Sequence, residues 1–339
     1  MKMQAVRLAL VASAVVLGSS FSAVAQTAVK FALDWKFEGP SAPYFVALER
    51  GFYKAEGLDV TIDTGPGSVQ GIARVAAGTY PLGFFDINSL VRFRDQNPDR
   101  KVMAVMMVYD RPPFSIVSLK KAGIKGPKDL EGKILGAPAP DGAFAQWAAF
   151  TKANGIDGSK VKVENVGFPV REPMLAQGKV DAITGFSFSS YFNLRQNGIK
   201  DEDISVMLMS DFGIVMYGNA IMVNPEFAAA NPKVVASFIK ATVRGVIEAA
   251  KNPDTAIDTV MKYNPTGDRA TELERLKMSL RDNIVTPAVK ANGVGDIDFA
   301  RFAKSVEQIA ETYEFKNPRP KPEDIFTRQF LPPAAERKL

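Results

Sequence analysis

Short apolar runs alternate with helical patterns along most of the chain, and this alternation is typical of α/β units built on mostly parallel sheets. In the first half, the runs that predict strands are Val29–Leu33, Leu58–Ile62, Leu82–Phe85 and Val102–Val108. The helical patterns between them cover Ala42–Glu56, Val69–Ala77 and Ile87–Asp95. Together they predict one α/β lobe.

A second series follows Pro112-Pro113, after the segment Phe114–Leu119, which is predicted to be an extended crossing. Its strand patterns are Lys133–Ala137, Val161–Val166, Ala182–Thr184 and Val206–Met209. Its helical patterns are Ala143–Asn154, Arg171–Gln177 and Ser189–Asn197. This series predicts a second α/β lobe.

The segment Asn219–Val223 is predicted to be a return crossing, because long helical patterns follow it. These patterns cover Pro232–Lys251, Pro253–Lys262, Arg269–Asp282 and Asp298–Tyr313. The predicted fold is therefore α/β, with two doubly wound lobes joined by two crossover hinge segments. Its predicted parts are lobe 1 at 26–116, lobe 2 at 117–218, the helical return to lobe 1 at 219–317, and a tail of surface loop at 318–339. The cleft between two such lobes is the default ligand site.

The first 25 residues have the order of a secretory signal. Lys2 and Arg7 form a basic region, Leu8–Leu17 is apolar, and small residues precede an expected cut after Ala25. The alternative is a membrane anchor, but the apolar run has about ten residues, whereas a span needs about 20. We therefore expect a periplasmic or secreted protein. The chain has no cysteine, which excludes a lipoprotein anchor at the cut.

The composition excludes several kinds of chemistry. The 339 residues include no histidine and no cysteine, so His-dependent triads, thiol nucleophiles, and zinc sites built from His or Cys are impossible. The Gly-rich segment Asp63–Ser68 lacks the Gly-Lys ending of a nucleotide-binding P-loop. The 42 Lys and Arg against 37 Asp and Glu are too even to indicate a nucleic-acid partner. We expect a binding protein, not an enzyme, with no cofactor and no metal.

Candidate ligand-binding residues of the first lobe lie where predicted strands end. Asp34 and Trp35 follow the first strand, so an indole face for stacking lies beside a carboxylate that can accept hydrogen bonds. The alternative places Trp35 in the core and Asp34 as a cap. Ser68 opens a helix whose free amides can hold an anion, or it is an N-cap only. Asp86, with Asn88 nearby, carries the same ambiguity.

The remaining candidates lie at the first crossing and in the second lobe. Arg111 can grip a carboxylate or sulfonate in bidentate fashion, or it is a solvated arginine at a strand end. The residues predicted to form the opposite wall of the cleft are Asp141, Ala143, Phe186, Tyr217 and Asn219. The acidic candidates and Trp35 favour a flat nitrogen heterocycle such as an aminopyrimidine. Ser68 and Arg111 favour an aliphatic sulfonate or aromatic carboxylate.

Several segments resemble the SsuA/THI5-like (NMT1-like) periplasmic solute-binding proteins of ABC importers, which include a thiamine-pyrimidine and sulfonate group. The resemblance covers nearly the whole mature chain, and it is carried by Leu33–Trp35, Pro43–Ala47, Gly51–Val60, Gly65–Ser68 and Gly83–Asp86. It implies a type II periplasmic-binding fold. It also implies that the protein, expected to be a monomer, delivers a small molecule to an ABC permease and its ATPase.

The same family includes pyrimidine synthases, which resemble this chain near Leu33–Trp35 but carry a histidine shortly afterwards and a cysteine-rich motif. Here the corresponding stretch is Lys36–Ala42, and neither residue type occurs in the chain. Two alternatives to transport stay open. One is a secreted enzyme that uses two carboxylates, for instance Asp34 and Asp86, as acid and base. The other is a sensor that presents its ligand to a receptor.

Overall fold

The computed structural model describes residues 26–339, so the predicted secretory signal lies outside the described residues. Across these described residues, ten strands form two five-stranded sheets. Within the described range, no helix combines the length and the apolar character that a membrane crossing requires.

The first sheet forms the centre of lobe 1. Its strands are β1 (Thr27–Ala32), β2 (Leu58–Asp63), β3 (Leu82–Asp86), β4 (Met103–Met107) and β10 (Asn219–Val223). They lie in the order β2-β1-β3-β10-β4. The first three are parallel, whereas β10 is antiparallel to both of its neighbours. Every side chain of β3 and β10 is buried, as expected for central strands covered on both faces.

The second sheet has the same plan in lobe 2. Its strands are β5 (Phe114–Leu119), β6 (Ile134–Ala137), β7 (Lys162–Asn165), β8 (Ala182–Phe186) and β9 (Ile204–Leu208). They lie in the order β7-β6-β8-β5-β9, with β5 antiparallel to β8 and β9. In each sheet, therefore, one antiparallel strand lies between two others: β10 lies between β3 and β4, and β5 lies between β8 and β9.

Helices cover both sheets. Those of the first lobe before the crossing are α1 (Ala42–Glu49), α2 (Phe52–Ala55), α3 (Ser68–Ala76) and α4 (Ile87–Gln96). Those of the second lobe are α5 (Trp147–Ala153), α6 (Arg171–Ala176) and α7 (Ser187–Gln196). The return helices are α8 (Pro225–Ala230), α9 (Pro232–Lys251), α10 (Pro253–Met261), α11 (Arg269–Ser279), α12 (Pro287–Asn292), α13 (Phe299–Ala310) and α14 (Pro322–Ile325). The apolar face of α9 packs on α1 in the core of lobe 1.

The two segments that we expected to be crossings are strands. Phe114–Leu119 pairs with β8 and β9, so the predicted lobe boundary after residue 116 falls inside a strand. Asn219–Val223 pairs with β3 and β4. The chain crosses between the lobes just outside these strands, at 108–113 and 213–218. An apolar run indicates burial but does not show which sheet provides the partner strands, and this explains the error.

The helix predicted from Ala42 to Glu56 is two helices, because Gly51 has a φ of 71° between them. Residues with a side chain rarely adopt this left-handed conformation, which ends α1 and turns the chain into α2. The tail is also more ordered than the predicted loop. Ile325 and Phe326 are buried, and Phe326 makes a β-bridge with Ala104.

Arg301 of α13 joins both crossings on the side of lobe 1. Its Nη2 donates to the carbonyl oxygens of Asp110, at 2.7 Å, and Met216, at 3.0 Å. Its guanidinium lies over the ring of Tyr217, with 3.9 Å from Cζ to the ring centre. These contacts hold the two connecting segments side by side behind the cleft.

Candidate ligand-binding site

A small cavity lies between the lobes. We call it the inner cavity. Five of the predicted residues line it: Asp34, Trp35, Ser68, Asp141 and Phe186. They meet there because the carboxyl ends of parallel strands and the starts of the following helices face the cleft from both lobes. Lobe 1 supplies the first three, and lobe 2 supplies the last two.

A second small chamber adjoins the inner cavity. Asp34, Trp35, Phe186 and Ser189 line both spaces. The additional aromatic residues of the second chamber are Tyr44, Phe84, Tyr109 and Phe188. Among the described residues, the buried Tyr44 hydroxyl has no hydrogen-bond partner, which leaves a polar group available to a ligand in an otherwise aromatic chamber.

Trp35 and Phe168 close the inner cavity from opposite lobes. Their ring centres are 4.6 Å apart and their planes are inclined at 60°. The Trp35 indole donates to Glu38 Oε1 at 3.2 Å, which fixes its orientation. Glu38 Oε2 in turn accepts from the hydroxyl of Ser189 across the cleft, at 3.0 Å. The orientation of the indole is therefore fixed, and its face offers a surface on which a flat ring can stack.

Asp34 lies where the two chambers meet and is 8% exposed. Its Oδ2 accepts a hydrogen bond of 2.7 Å from Asn219 of β10. Burial raises the pKa of Asp34 to about 7, against the lowering effect of that hydrogen bond. At neutral pH this carboxyl group therefore exists in both forms, so it can donate as well as accept hydrogen bonds.

Asp141 and Arg171 form the charged part of the lobe 2 wall, and both are almost fully buried. Arg171 Nη1 lies 3.6 Å from Asp141 Oδ2, and Arg171 Nη2 donates to Glu172 Oε1 at 2.6 Å. Asp141 also accepts from Thr184 and from the Ala143 amide, both at 3.1 Å. Burial raises the pKa of Asp141, although Arg171 opposes that shift. The arginine charge is already compensated by two carboxylates.

Four other predicted residues lie behind the cavity wall and not on it. Asp86 caps α4 and accepts from Gln146 of lobe 2 at 2.9 Å, and burial raises its pKa. Asn88 donates to Asp86 and to the Tyr217 carbonyl, both at 2.7 Å. Ala143 and Asn219 hold Asp141 and Asp34, respectively. These residues orient the groups that face the cavity.

Two predicted residues lie elsewhere. Arg111 forms an ion pair with Asp211 and donates to Ser210, so it does not reach the cavity. Tyr217 lies at the crossing, under Arg301, and its hydroxyl accepts from the Asp298 amide at 2.8 Å. Both residues lie near the ends of strands, but their side chains contact residues at the segments that connect the lobes and not residues of the cavity.

Sequence reasoning did not predict Tyr44, Phe168, Arg171 or Ser189. Phe168 and Arg171 lie between the end of β7 and the start of α6, so the rule that strand ends and helix starts face the cleft would have found them too. The positions of Tyr44 and Ser189 inside their helices carry no comparable signal. Within residues 26–339, no three Asp or Glu side chains are arranged as ligands for a metal ion.

The model of the family described as "NMT1/THI5 like" matches residues 39–256, which is more than half of the chain. The chain belongs to the NMT1/THI5-like family. It is 27% identical over 246 residues to the riboflavin-binding protein RibY of Chloroflexus aurantiacus, with 70% of this chain and 68% of the relative covered. It is also 27% identical over 236 residues to the formylaminopyrimidine-binding protein of Halalkalibacterium halodurans, with 69% of each covered.

Solved structures confirm the fold of this NMT1/THI5-like protein. The alkanesulfonate-binding protein SsuA of Xanthomonas axonopodis, bound to MOPS, superposes with a TM-score of 0.67 at 13% identity. The match covers 89% of this chain and 98% of SsuA. The expected family and the type II periplasmic-binding architecture are thus both confirmed.

The sequence led us to expect that the chain is not an enzyme, and this expectation is wrong because several relatives are named as enzymes. A relative in Legionella pneumophila, 24% identical over 243 residues with 70% of this chain and 74% of the relative covered, is named a 4-amino-5-hydroxymethyl-2-methylpyrimidine phosphate synthase. Fungal relatives carry the same name. The lack of histidine and cysteine excludes the chemistry of those side chains only, and buried carboxyl groups remain at the cavity.

The raised pKa of Asp34 predicts a distinct dependence of stability on pH. Between about pH 4 and 7 the unfolded chain loses this proton while the folded protein keeps it, so stability falls as pH rises, by about 1.4 kcal/mol per unit. The Asp34→Asn variant lacks this loss. We expect it to gain up to about 4 kcal/mol relative to the native protein between pH 4 and 8, measured by urea unfolding.

Asp59→Asn is the control, because Asp59 is an exposed carboxylate on β2. Its unfolding free energy should follow that of the native protein across the same pH range. If the Asp34→Asn and native curves also stay parallel, the carboxyl group at the cavity does not hold its proton near neutrality.

Proposed function

We propose that this protein is the extracytoplasmic binding component of an ABC importer, and that it captures a flat nitrogen heterocycle between its lobes. In this proposal, residues 1–25 direct export and are removed after Ala25. The monomeric protein then delivers its ligand to a permease and its ATPase. The observation that carries the proposal is the inner cavity, where Trp35 offers a stacking face next to the buried carboxyl group of Asp34.

The carboxyl group of Asp34 suits the edge of an amino-substituted heterocycle. Such an edge places an amino donor beside a ring-nitrogen acceptor. A carboxyl group near its pKa complements both, because its protonated form donates through one oxygen and accepts through the other. The RibY and formylaminopyrimidine-binding relatives support this class, since the compounds in their names are flat and rich in nitrogen.

The charges around the cavity disfavour the sulfonate or aromatic carboxylate that we kept as an alternative. Such an anion would face the buried carboxyl groups of Asp34 and Asp141. Arg171 lies on the same wall, but Glu172 and Asp141 already compensate its charge. Arg111, the arginine on which that alternative depended, pairs with Asp211 outside the cavity.

The test is a ligand panel with the purified protein, read by native mass spectrometry and by thermal shift. The panel contains 4-amino-2-methylpyrimidine, lumiflavin, an alkanesulfonate and phthalate, and products are followed so that any turnover is registered. We expect the two heterocycles to bind with 1:1 stoichiometry. A ligand at 100 times its Kd should add about 2.7 kcal/mol of stability. Selective binding of the sulfonate or phthalate, or conversion of a heterocycle to a product, would contradict the proposal.

A further inference from the structure

A third space lies on the outer side of the Trp35 and Phe168 rings. This vestibule has a volume of about 400 Å³ and is much larger than the inner cavity, and the same two rings line both spaces. Lobe 1 contributes the loop around Asn264, and lobe 2 contributes the end of α7 with Gln196. A substituent on a ring held in the inner cavity would therefore extend between the lobes into the vestibule.

The vestibule walls differ chemically from those of the two inner chambers. Uncharged hydrogen-bonding side chains dominate the parts far from the rings: Asn193, Gln196, Asn197, Asn264 and Thr266. Across residues 26–339, the Gln196 and Asn264 side chains make no hydrogen bond to another group of the protein, whereas Asn193 is engaged by Arg275 at 3.2 Å. Each free amide offers donors and an acceptor, which is the combination that a hydroxyl group needs.

The buried charged side chains of the vestibule are already paired with each other or with neighbouring charges. Arg275 lies 3.2 Å from both Glu38 and Glu272, and Glu172 is bonded to Arg171. Lys36 is exposed, with its Nζ 5.4 Å from the centre of the Trp35 ring. A phosphate group entering here would face three carboxylates and no unpaired buried cation, so the walls favour a neutral substituent.

We propose that the vestibule is the second half of the ligand site and takes an uncharged, hydroxylated substituent, a polyol chain or a sugar, attached to the ring in the inner cavity. This inference rests on the proposed function, since it needs the ring to occupy the inner cavity. It narrows the ligand class from flat heterocycles in general to those that carry a neutral hydroxylated chain. Gln196 and Asn264 determine that specificity.

The test compares compounds that share a ring and differ in the substituent, by calorimetric titration of the purified protein. The pairs are lumiflavin with riboflavin, and cytosine with cytidine. Riboflavin phosphate is included because its substituent carries a negative charge. We expect the hydroxylated member of a pair to bind about tenfold more tightly than the bare ring. The phosphate should bring no further gain.

The double variant Gln196→Met/Asn264→Leu removes the free amides at similar volume. We expect it to lower the affinity for the hydroxylated compound to that for the bare ring, and to leave the bare-ring affinity unchanged. Gln329→Met, an exposed position in the tail, is the matched control and should change neither value. A fold defect would instead weaken both members of a pair.

Other outcomes separate this inference from the proposed function. If bare and hydroxylated rings bind equally, the vestibule is only an entrance, and the inference fails while the heterocycle site stands. If riboflavin phosphate binds more than tenfold more tightly than riboflavin, the assignment of a neutral substituent is wrong. If no ring compound of either pair binds, both the heterocycle site and the inference are overturned.

Discussion

Trp35→Ala is expected to weaken binding of lumiflavin and 4-amino-2-methylpyrimidine by about ten- to 100-fold. Stacking of a base on an aromatic side chain contributes about 1 to 3 kcal/mol by alanine substitution, and each 1.4 kcal/mol changes affinity tenfold. Trp35 also closes the cavity against Phe168 of the other lobe. The substitution therefore removes the stacking surface and admits water to the site. Calorimetric titration measures the loss.

The chain has two tryptophans, and the other is the control. Trp147 begins α5 and packs near Phe150, with 6.2 Å between ring centres, away from the residues that line the inner cavity. Trp147→Ala should leave both affinities unchanged. Trp147→Phe leaves Trp35 as the only indole, and ligand binding should then change its fluorescence. Equal affinities in Trp35→Ala and the native protein would place the heterocycle site elsewhere.

Arg275→Met is expected to lower the free energy of unfolding by about 3 to 5 kcal/mol, the usual cost of removing one partner from a buried ionic network. Arg275 is 1% exposed. Its guanidinium lies 3.2 Å from both Glu38 and Glu272, and it donates to the carbonyl oxygens of Phe188 and Ser189 in lobe 2 at 3.3 and 3.2 Å. Urea unfolding measures the effect.

A double variant separates the electrostatic effect of losing Arg275 from the effect of losing its packing contacts. Without Arg275, Glu272 is a buried carboxylate near Glu38 with no cation beside it, and burial already raises the pKa of Glu272 in the native protein. Adding Glu272→Gln to Arg275→Met should therefore recover part of the lost stability. Arg269 lies on α11, as Arg275 does, and pairs with Asp258 of α10 at an exposed site. Arg269→Met should therefore cause no measurable loss of stability. Equal losses in the single and double Arg275 variants would contradict the electrostatic explanation.

The network around Arg275 also reaches the residues that line the inner cavity. It joins α11 of lobe 1 to α7 of lobe 2 through Glu38, the same residue that holds the Trp35 indole. The side chain that fixes the stacking surface is thus held by a contact between the lobes. The contacts between the lobes and the orientation of Trp35 thus share the carboxylate of Glu38.

The sequence predicted much of the architecture and part of the site. Within residues 26–339, periodicity located eight of the ten strands and the longer helices but not α8, α12 or α14, because alternating apolar runs and helical spacing report burial locally. The expectation that strand ends and helix starts face the cleft selected Asp34, Trp35, Ser68, Asp141 and Phe186, all of which line the inner cavity. The family followed from short motifs of the first lobe, and the matched family model confirms it.

Only the tertiary structure decided how distant segments combine. Phe114–Leu119 and Asn219–Val223 are central antiparallel strands because of pairing with strands far away in sequence, which local patterns do not encode. Arg111 is drawn to Asp211, and Arg171 to Asp141, by packing between elements. The sequence by itself thus determined which segments are buried and which polar groups end their strands. Burial and pairing in three dimensions decided which of those groups face the cavity and with what charge, since both depend on neighbours that are distant in the sequence, as Asn219 is from Asp34.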